Sequence, residues 1–563
     1  MEELLKHLAW LKAWQQTPGY AQFKARPIAY FCSEFALETH IPTYSGGLGI
    51  LAGDVIREAA DRGVPMVGVG LYYRHGYICP TKLVNGELVE ACVDLPPDSV
   101  GLKPVLLGDG TRLKLKVPIQ DVQVEVQAWE WSRADVKVYL LDTDLEGNAA
   151  GDRRITDRLY IAHSETRLKQ QIILGLGGLR LLEALKLHPS LYHLNEGHSA
   201  LLALELIHHE MKERTLSFDE AKAFAKRRLV LTNHTLVPAG NETYSDDLVS
   251  LLLGGYAKEI NVPVNELVKL GLVSDSSSFS MTLLALRMAS VVNSVSKLHA
   301  KKARDIWHDH PMVAVTNGVH LPTWDKIGAD VKAPGSFWTL HQALKRDLLK
   351  HIQDKTGRNW SEDVLLVGWA RRIATYKRPG AILEDAKRFA EIARNTHRPI
   401  KLVISGRPHA ADMDGQKIRE HIEELVNSEL KDVAVYLPDY DLAQAELLVS
   451  GCDVWLNTPV VGFEACGTSG MKAALNGVLP CSTKDGWVDE AELYKVGWLL
   501  DDTTVGQDIL NQLEHNIAPM YYERNAGGVP ELWEEHMRNS RDMIMNQFSA
   551  TRMMRAYVEM MYS

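Results

Sequence analysis

Val364-Leu365-Leu366-Val367-Gly368 is a short apolar run rich in branched side chains, and Trp369-Ala370-Arg371-Arg372-Ile373-Ala374-Thr375-Tyr376-Lys377-Arg378 follows it directly. A continuous apolar run of this length reads as a strand buried on both faces, the kind found in parallel sheets. Three similar runs come after it: Leu402-Val403-Ile404-Ser405-Gly406, Val433-Ala434-Val435-Tyr436-Leu437 and Val454-Trp455-Leu456-Asn457. Helical patterns separate them, and that alternation specifies an α/β fold with a Rossmann-like parallel sheet. Such sheets bind ligands beyond the carboxyl ends of their strands. Residues 371–378 lie at that end and carry four cations, Arg371, Arg372, Lys377 and Arg378. Arginine offers a planar fork to phosphate oxygens and lysine a compact point charge. The segment reads either as a solvated basic face or as an anion site, and its position directly after a strand favours the anion site.

The same alternation extends towards the N-terminus, with strands expected over 28–32, 64–69, 136–141, 191–194, 229–232 and 312–315. Helices are expected over 157–187 and 199–213, where apolar residues recur at helical spacing. Residues 91–135 differ: their apolar residues alternate on either side of Gly108-Asp109-Gly110, a hairpin signal. They read as an antiparallel insertion. The expected division is a Rossmann-like lobe over 1–335 and a second over 336–563, with a cleft between them. The tail, 521–563, reads as helical and Met-rich, its methionines serving as adaptable packing, and it is expected to pack back on the first lobe. Gly175, Gly177 and Gly178 fall inside a helical pattern with no strand immediately before them, so they read as close-packing points and not as a nucleotide fingerprint.

The 563 residues are 46% apolar and 24% charged, with a net charge of -10. That is ordinary globular composition, enough for several domains. No apolar run approaches the ~20 residues needed to cross a bilayer. The opening Met1-Glu2-Glu3-Leu4-Leu5-Lys6-His7 lacks the basic start and apolar core of a secretory signal. Six cysteines without a CxxC pair argue against a disulfide framework and a thiolate metal site, and fit a reducing cytoplasm. The acidic balance argues against nucleic acid as a partner. His193 with His198, and His308 with His310, lack a third convergent ligand, so no metal site is expected.

Two further motifs carry chemistry. Tyr44-Ser45-Gly46-Gly47-Leu48-Gly49-Ile50-Leu51-Ala52-Gly53-Asp54 is either plain turn geometry or a loop whose exposed N–H groups cradle a phosphate at a helix start. Glu464-Ala465-Cys466-Gly467-Thr468-Ser469-Gly470-Met471-Lys472-Ala473-Ala474-Leu475-Asn476-Gly477 is a small polar turn leading into a helix. Lys472 there is either a surface lysine or a partly buried amine able to form a Schiff base.

This last segment closely resembles the pyridoxal-phosphate attachment signature of the α-glucan (glycogen, starch, maltodextrin) phosphorylases. Other stretches resemble the same family in the same order: Ser45 to Asp54, Leu194-Asn195-Glu196-Gly197-His198, Thr232-Asn233-His234-Thr235-Leu236-Val237-Pro238, Val315-Thr316-Asn317-Gly318-Val319-His320 with Trp324, and Arg371 to Arg378. The resemblance implies a GT-B architecture, with the active site in the cleft between two Rossmann-like lobes. It implies reversible, retaining transfer of a terminal α-1,4-linked glucose from a glucan or maltooligosaccharide to inorganic phosphate, giving α-D-glucose 1-phosphate. It implies pyridoxal 5'-phosphate held on Lys472, its 5′-phosphate exchanging a proton with the substrate phosphate. By motif match, Arg372 and Lys377 grip the substrate phosphate and the Gly47 amide adds a donor. Arg371, Lys377 and Thr468 surround the cofactor phosphate, with Trp324 and Tyr440 near its ring. His234, Asn317, Glu464, Cys466 and Gly467 bind the glucosyl unit, His234 also stabilising developing positive charge through its carbonyl. Lys472, Arg372, Lys377 and His234 are thus the expected catalytic set. Glu196 and His198 read either as a polar strand end or as part of the active-site entrance.

The chain departs from the long regulated family members in several places. It resembles a trimmed catalytic body, without a visible counterpart of the N-terminal regulatory extension. Cys466 stands where serine is usual, Pro238-Ala239-Gly240 replaces the usual continuation after His234, and Asp441 replaces an arginine beside Tyr440. Two rival readings stay open: a GT-B enzyme acting on another α-glucoside or on a nucleotide sugar, and a catalytically silent glucan-binding protein. Homo-oligomers are compatible with either.

Overall fold

The computed structural model describes residues 1–563 except 78–80, 85–86, 91, 237–240, 275, 329–330, 410–411 and 439, and gives the backbone alone for 81–84 and 87–90. The departure at Pro238-Ala239-Gly240, the start of the expected insertion at residue 91 and Cys79 lie outside the described residues. The chain is mixed α/β and divides into two compact units. One comprises Leu8–Val295, Ala300–Val315 and Met554–Ser563; the other comprises Met1–His7, Ser296–His299 and Thr316–Met553.

The strands of the first unit are β1 (Ile28–Phe31), β2 (Met66–Leu71), β3 (Thr81–Val84), β4 (Glu87–Glu90), β5 (Lys103–Pro104), β6 (Lys114–Ile119), β7 (Val122–Arg133), β8 (Val136–Asp142), β9 (Leu191–Asn195), β10 (Leu229–Asn233), β11 (Thr243–Ser245), β12 (Ser278–Ser280), β13 (Val291–Ser294) and β14 (Val313–Ala314). Its main sheet runs β14-β13-β10-β9-β1-β2-β8-β7-β5, with β6 also beside β7. From β14 to β8 every pairing is parallel. β5, β6 and β7 are antiparallel, as the alternation around Gly108-Asp109-Gly110 predicts. β3 with β4, and β11 with β12, form separate antiparallel pairs. All four residues of β1 are buried, which explains its unbroken apolar character.

The long helical pattern over 157–187 proves to be a helix Ser164–Ile172, a π turn Ile173–Gly177 and a helix Gly178–Ala184. A Cβ on Gly175 would come within 2.5 Å of the Leu202 amide nitrogen, and one on Gly178 within 2.4 Å of the Phe31 ring. These glycines are packing points, as expected. Met554–Ser563 belongs to this unit. There the Tyr562 hydroxyl lies 2.8 Å from Nδ1 of buried His193, and the Tyr557 ring packs edge-on against the same imidazole.

The second unit contains β15 (Leu365–Ala370), β16 (Ile400–Ser405), β17 (Ala434–Leu437), β18 (Val454–Asn457), β19 (Leu479–Thr483) and β20 (Trp498–Leu500). They are ordered β17-β16-β15-β18-β19-β20, all parallel. In chain order within this sheet that is 3-2-1-4-5-6, the order of doubly wound nucleotide-binding sheets, with its switch point between β15 and β18. A buried ionic knot anchors that centre. Lys345, on the helix Ser336–Thr356, donates to Asp453 Oδ2 at 2.5 Å, and the Leu366 amide donates to the same oxygen at 2.7 Å.

Cys32, Cys452, Cys466 and Cys481 are free and buried. Cys92 is disulfide-bonded, a single departure from a cysteine pattern that argues against a disulfide framework. Among the described residues, no helix is long and apolar enough to cross a membrane, and no group of three or more His, Cys, Asp or Glu side chains converges as a metal site requires.

Candidate active site

The switch point gathers the second unit's chemistry. Arg371 is the first residue after β15, and the turn that follows β18 carries residues 464–468. Arg371 Nη1 donates to Glu464 Oε2 at 2.7 Å, and Lys377 Nζ donates to the same oxygen at 2.8 Å. Arg371 and Lys377 are only 7% and 8% exposed. Burial alone would raise the Glu464 carboxyl, but the two cations outweigh it and hold the group at about 2. Two buried cations against one carboxylate leave a surplus positive charge, which suits an anion. The Asp485 carboxylate fastens the backbone here, accepting the Glu464 amide at 2.9 Å and the Gly486 amide at 2.8 Å. Of the four cations expected at this site, Arg378 is diverted. It pairs with Asp502 and donates to the carbonyls of Thr458 and Pro459. Arg372 is exposed.

Because the folded Glu464 carboxyl lies below its ordinary value, its contribution to stability is complete above about pH 4.5 and fades as pH falls towards 2. The shift corresponds to roughly 3 kcal/mol. A Glu464→Gln variant should therefore be less stable than wild type at pH 6, and the gap should narrow on acidification. Denaturant unfolding from pH 6 to pH 3 measures this; a gap independent of pH would show that the carboxylate charge is not what holds the cations.

The helix Thr468–Leu475 follows Gly467, whose φ of +81° favours glycine. Lys472 is 4% exposed. Its Nζ lies 3.5 Å from Thr468 Oγ1 and 4.1 Å from the centroid of the Trp324 ring. The Trp324 carbonyl accepts from Asn476 Nδ2 at 2.8 Å, which ties that ring to the end of the lysine's helix. Tyr440 is close enough to Arg371 to feel its charge: burial pushes its phenol up to about 12, against the pull of the guanidinium. The neighbouring Asp441 accepts the Gln444 amide at 2.8 Å as a helix N-cap. The acid that stands where long forms carry arginine thus has a structural task of its own. Cys466 is buried and its sulfur accepts the Asn317 amide. Asn317 is 4% exposed, and its Oδ1 is buried without a partner among the described residues. That is an acceptor left for a hydroxyl donor.

This arrangement fits pyridoxal phosphate: a buried amine beside an aromatic face, a helix start with a threonine hydroxyl, and paired cations carrying excess positive charge. The second unit thus brings Trp324, Arg371, Lys377, Glu464, Gly467, Thr468 and Lys472 together, and sets Asn317 against Cys466.

The first unit holds Gly47 and His234. Here the glycine stretch has an occupant that the sequence reading passes over. Glu34, just beyond β1, accepts the amides of Ser45 and Gly46 on Oε2 at 2.7 and 3.3 Å, and the Tyr160 hydroxyl on Oε1 at 2.7 Å. Part of the anion cradle is therefore filled by the protein's own carboxylate. Gly47 opens the helix Gly47–Arg62, so its amide is among the first-turn N–H groups the helix itself leaves unpaired. A Cβ on Gly49 would come within 2.7 Å of Glu34 Oε2, which explains the glycine at that position. His234 follows β10 directly; its Nε2 is 2.6 Å from Asn195 Oδ1, and its amide donates to Glu196 Oε2 at 2.9 Å.

The family model described as "Carbohydrate phosphorylase" matches residues 314–492, which span β15, β18 and the Lys472 helix. The chain is 36% identical to maltodextrin phosphorylase from Thermococcus litoralis, over 95% of this chain and 70% of that protein. It is 33% identical to glycogen phosphorylase from Mycobacterium tuberculosis, over 100% and 74%, and 32% identical to glycogen phosphorylase from Aquifex aeolicus, over 100% and 90%. With similarity of this extent running through both sheets and the lysine-bearing turn, the chain belongs to the carbohydrate phosphorylase family.

Proposed function

We propose that this protein is an α-1,4-glucan phosphorylase. It moves the terminal glucose of glycogen, starch or a maltodextrin onto orthophosphate and releases α-D-glucose 1-phosphate, reversibly and with retention. Its two sheet-bearing units correspond to the two Rossmann-like lobes of the GT-B class. The observation that carries the reading is the pair of buried cations on Glu464, set beside a buried lysine that faces an aromatic ring.

In this reading Lys472 holds pyridoxal phosphate by covalent attachment, Trp324 and Tyr440 flank its ring, and Arg371, Lys377 and Thr468 bind its phosphate. When bound, the cofactor supplies through that phosphate a group that gives and takes a proton. Arg372, Lys377 and the Gly47 amide hold orthophosphate. They offset the repulsion between neighbouring anions, which is where electrostatic stabilisation of the transition state arises. The bond from the glucosyl C1 to the leaving oxygen breaks, a proton from orthophosphate goes to that oxygen, and a phosphate oxygen bonds to C1 on the same face. His234, Asn317, Glu464, Cys466 and Gly467 hold the sugar, and the His234 carbonyl faces the positive charge that develops on it. No carboxylate dyad at the scissile bond is required, which separates this chemistry from glycoside hydrolysis.

The test mixes purified protein with maltodextrin and orthophosphate and assays glucose 1-phosphate with and without added pyridoxal phosphate. Product that requires both orthophosphate and cofactor supports the reading. Glucan binding without product would identify a silent binding protein instead.

Cys466→Ser should retain phosphorolysis and lower the KM for maltodextrin about twofold or more, because a hydroxyl is a better hydrogen-bond partner than a thiol. Steady-state kinetics decide this, and complete inactivation would show that the thiol itself is needed.

A further inference from the structure

Three parallel strands end side by side in the first unit: β10 at Asn233, β9 at Asn195 and β1 at Phe31. The residue that follows β9 is Glu196. Its φ is +73°, a region that side-chain-bearing residues adopt only when their surroundings hold them there. The side chain is buried, and its carboxylate is fully engaged with main chain and loop. Oε2 accepts the His234 amide at 2.9 Å, Oε1 accepts the Gly197 amide at 3.3 Å, and the Thr235 side chain donates as well. The preceding residue, Asn195, meets the His234 ring at 2.6 Å and donates through Nδ2 to Cys32 Sγ at 3.2 Å. The main chain and ring of His234 are thus gripped from one strand end by two consecutive side chains.

We infer that Glu196 is a positioning residue for turnover, its carboxylate fixing the His234 main chain so that the following carbonyl and ring are presented to the sugar. The inference rests on the proposed phosphorolysis and on the sugar-binding role given there to His234. Both backbone partners of the carboxylate are N–H donors, so only the ionised form accepts all its bonds without a competing proton. An amide in its place can accept at one end and turns an NH2 group on the other donor. Burial raises the carboxyl to about 7, against the pull of the three hydrogen bonds. The Cys32 thiol feels its charge and the His234 ring lies against the preceding Asn195, while His193 and His198 are its near neighbours along the chain. Burial keeps Cys32 protonated and holds His193 and His198 neutral, at about 3 and about 4.

Activity and stability then respond to pH in opposite senses. Turnover rises as pH passes upward through about 7 and the carboxylate forms. Folding stability falls over the interval from the ordinary glutamate range to about 7, because the folded state holds the proton more tightly than the unfolded chain does. Glu196→Gln should therefore lower kcat at pH 8 at least tenfold while leaving Tm at that pH unchanged or higher. It should also remove the part of the acid limb near pH 7 that the carboxylate contributes, leaving that of orthophosphate itself, and keep KM for orthophosphate within about threefold. Glu196→Asp, which keeps the charge, should retain more activity than the glutamine variant.

The experiment compares the three full-length proteins by these kinetics and by hydrogen exchange of the ligand-free protein over residues 229–236. Loss of protection at the His234 amide in Glu196→Gln, together with the fall in kcat, is the expected result. Unchanged protection, or lost protection with kcat intact, overturns the inference, as does a parallel loss of kcat and Tm. Should wild type give no glucose 1-phosphate, the proposed function fails, and exchange at His234 still decides whether the tether exists.

Discussion

Lys472→Ala protein is expected to bind no pyridoxal phosphate covalently and to form no glucose 1-phosphate, while its sheet and helix content stays that of wild type. Lys472 sits in the helix Thr468–Leu475, in a buried pocket formed with Trp324, and alanine is the best helix former. The substitution removes a buried amine and leaves its helix intact, so a folded but inactive protein is the physical expectation. Absorbance of the bound cofactor and intact mass after borohydride reduction measure the loading; circular dichroism reports the fold. Wild-type turnover in this variant would refute the assignment of the lysine.

Lys377→Ala should produce the next largest loss, on the order of 10³-fold in kcat/KM for orthophosphate. The cluster of Arg371, Lys377 and Glu464 carries two positive charges and one negative. Removing Lys377 leaves one of each and cancels the surplus that favours an anion. A unit charge about 4 Å away at an effective dielectric near 20 interacts by about 4 kcal/mol, and each 1.4 kcal/mol is a factor of ten. Glu464 keeps Arg371 as a partner, so stability should suffer far less than phosphate use. Initial rates across orthophosphate and maltodextrin concentrations separate the two effects. An equal loss of affinity for both substrates would contradict the assignment of Lys377 to phosphate.

Much of the fold was legible because burial on two faces leaves a mark in the chain. β15, β16, β17 and β18 are nearly unbroken apolar runs, as strands covered on both faces of a doubly wound sheet must be. β19 escaped the pattern because it contains Pro480, a residue that argues against a strand, and ends in Ser482 and Thr483. β20 is three residues long. β13 is half polar, since Asn293 and Ser294 point into a buried network where Thr232 donates to Asn293 at 2.6 Å. At the site, residue types and spacing marked the cations and the lysine. They did not mark Glu34 or Asp485, and offered Glu196 only as a polar strand end or part of an entrance, although the work of all three is to hold main-chain amides. A carboxylate that accepts backbone N–H groups from a distant strand end has no local signature, because its partners are set by topology. Glu196 is 38 residues from His234, yet β9 and β10 are neighbours. Arg378 shows the converse: it shares a short basic run with Lys377, but its left-handed backbone turns it to Asp502.

The central claim is that one cofactor is fastened at Lys472 with its anionic end met by Arg371, Lys377 and Thr468. A crystal of protein loaded with pyridoxal phosphate and soaked with orthophosphate tests it most directly. Density continuous from Lys472 Nζ to a ring against Trp324, with its phosphate drawing Arg371 or Lys377 away from Glu464, is the predicted result. Cofactor joined to a different lysine, or a phosphate lodged elsewhere while both cations stay on Glu464, would contradict it.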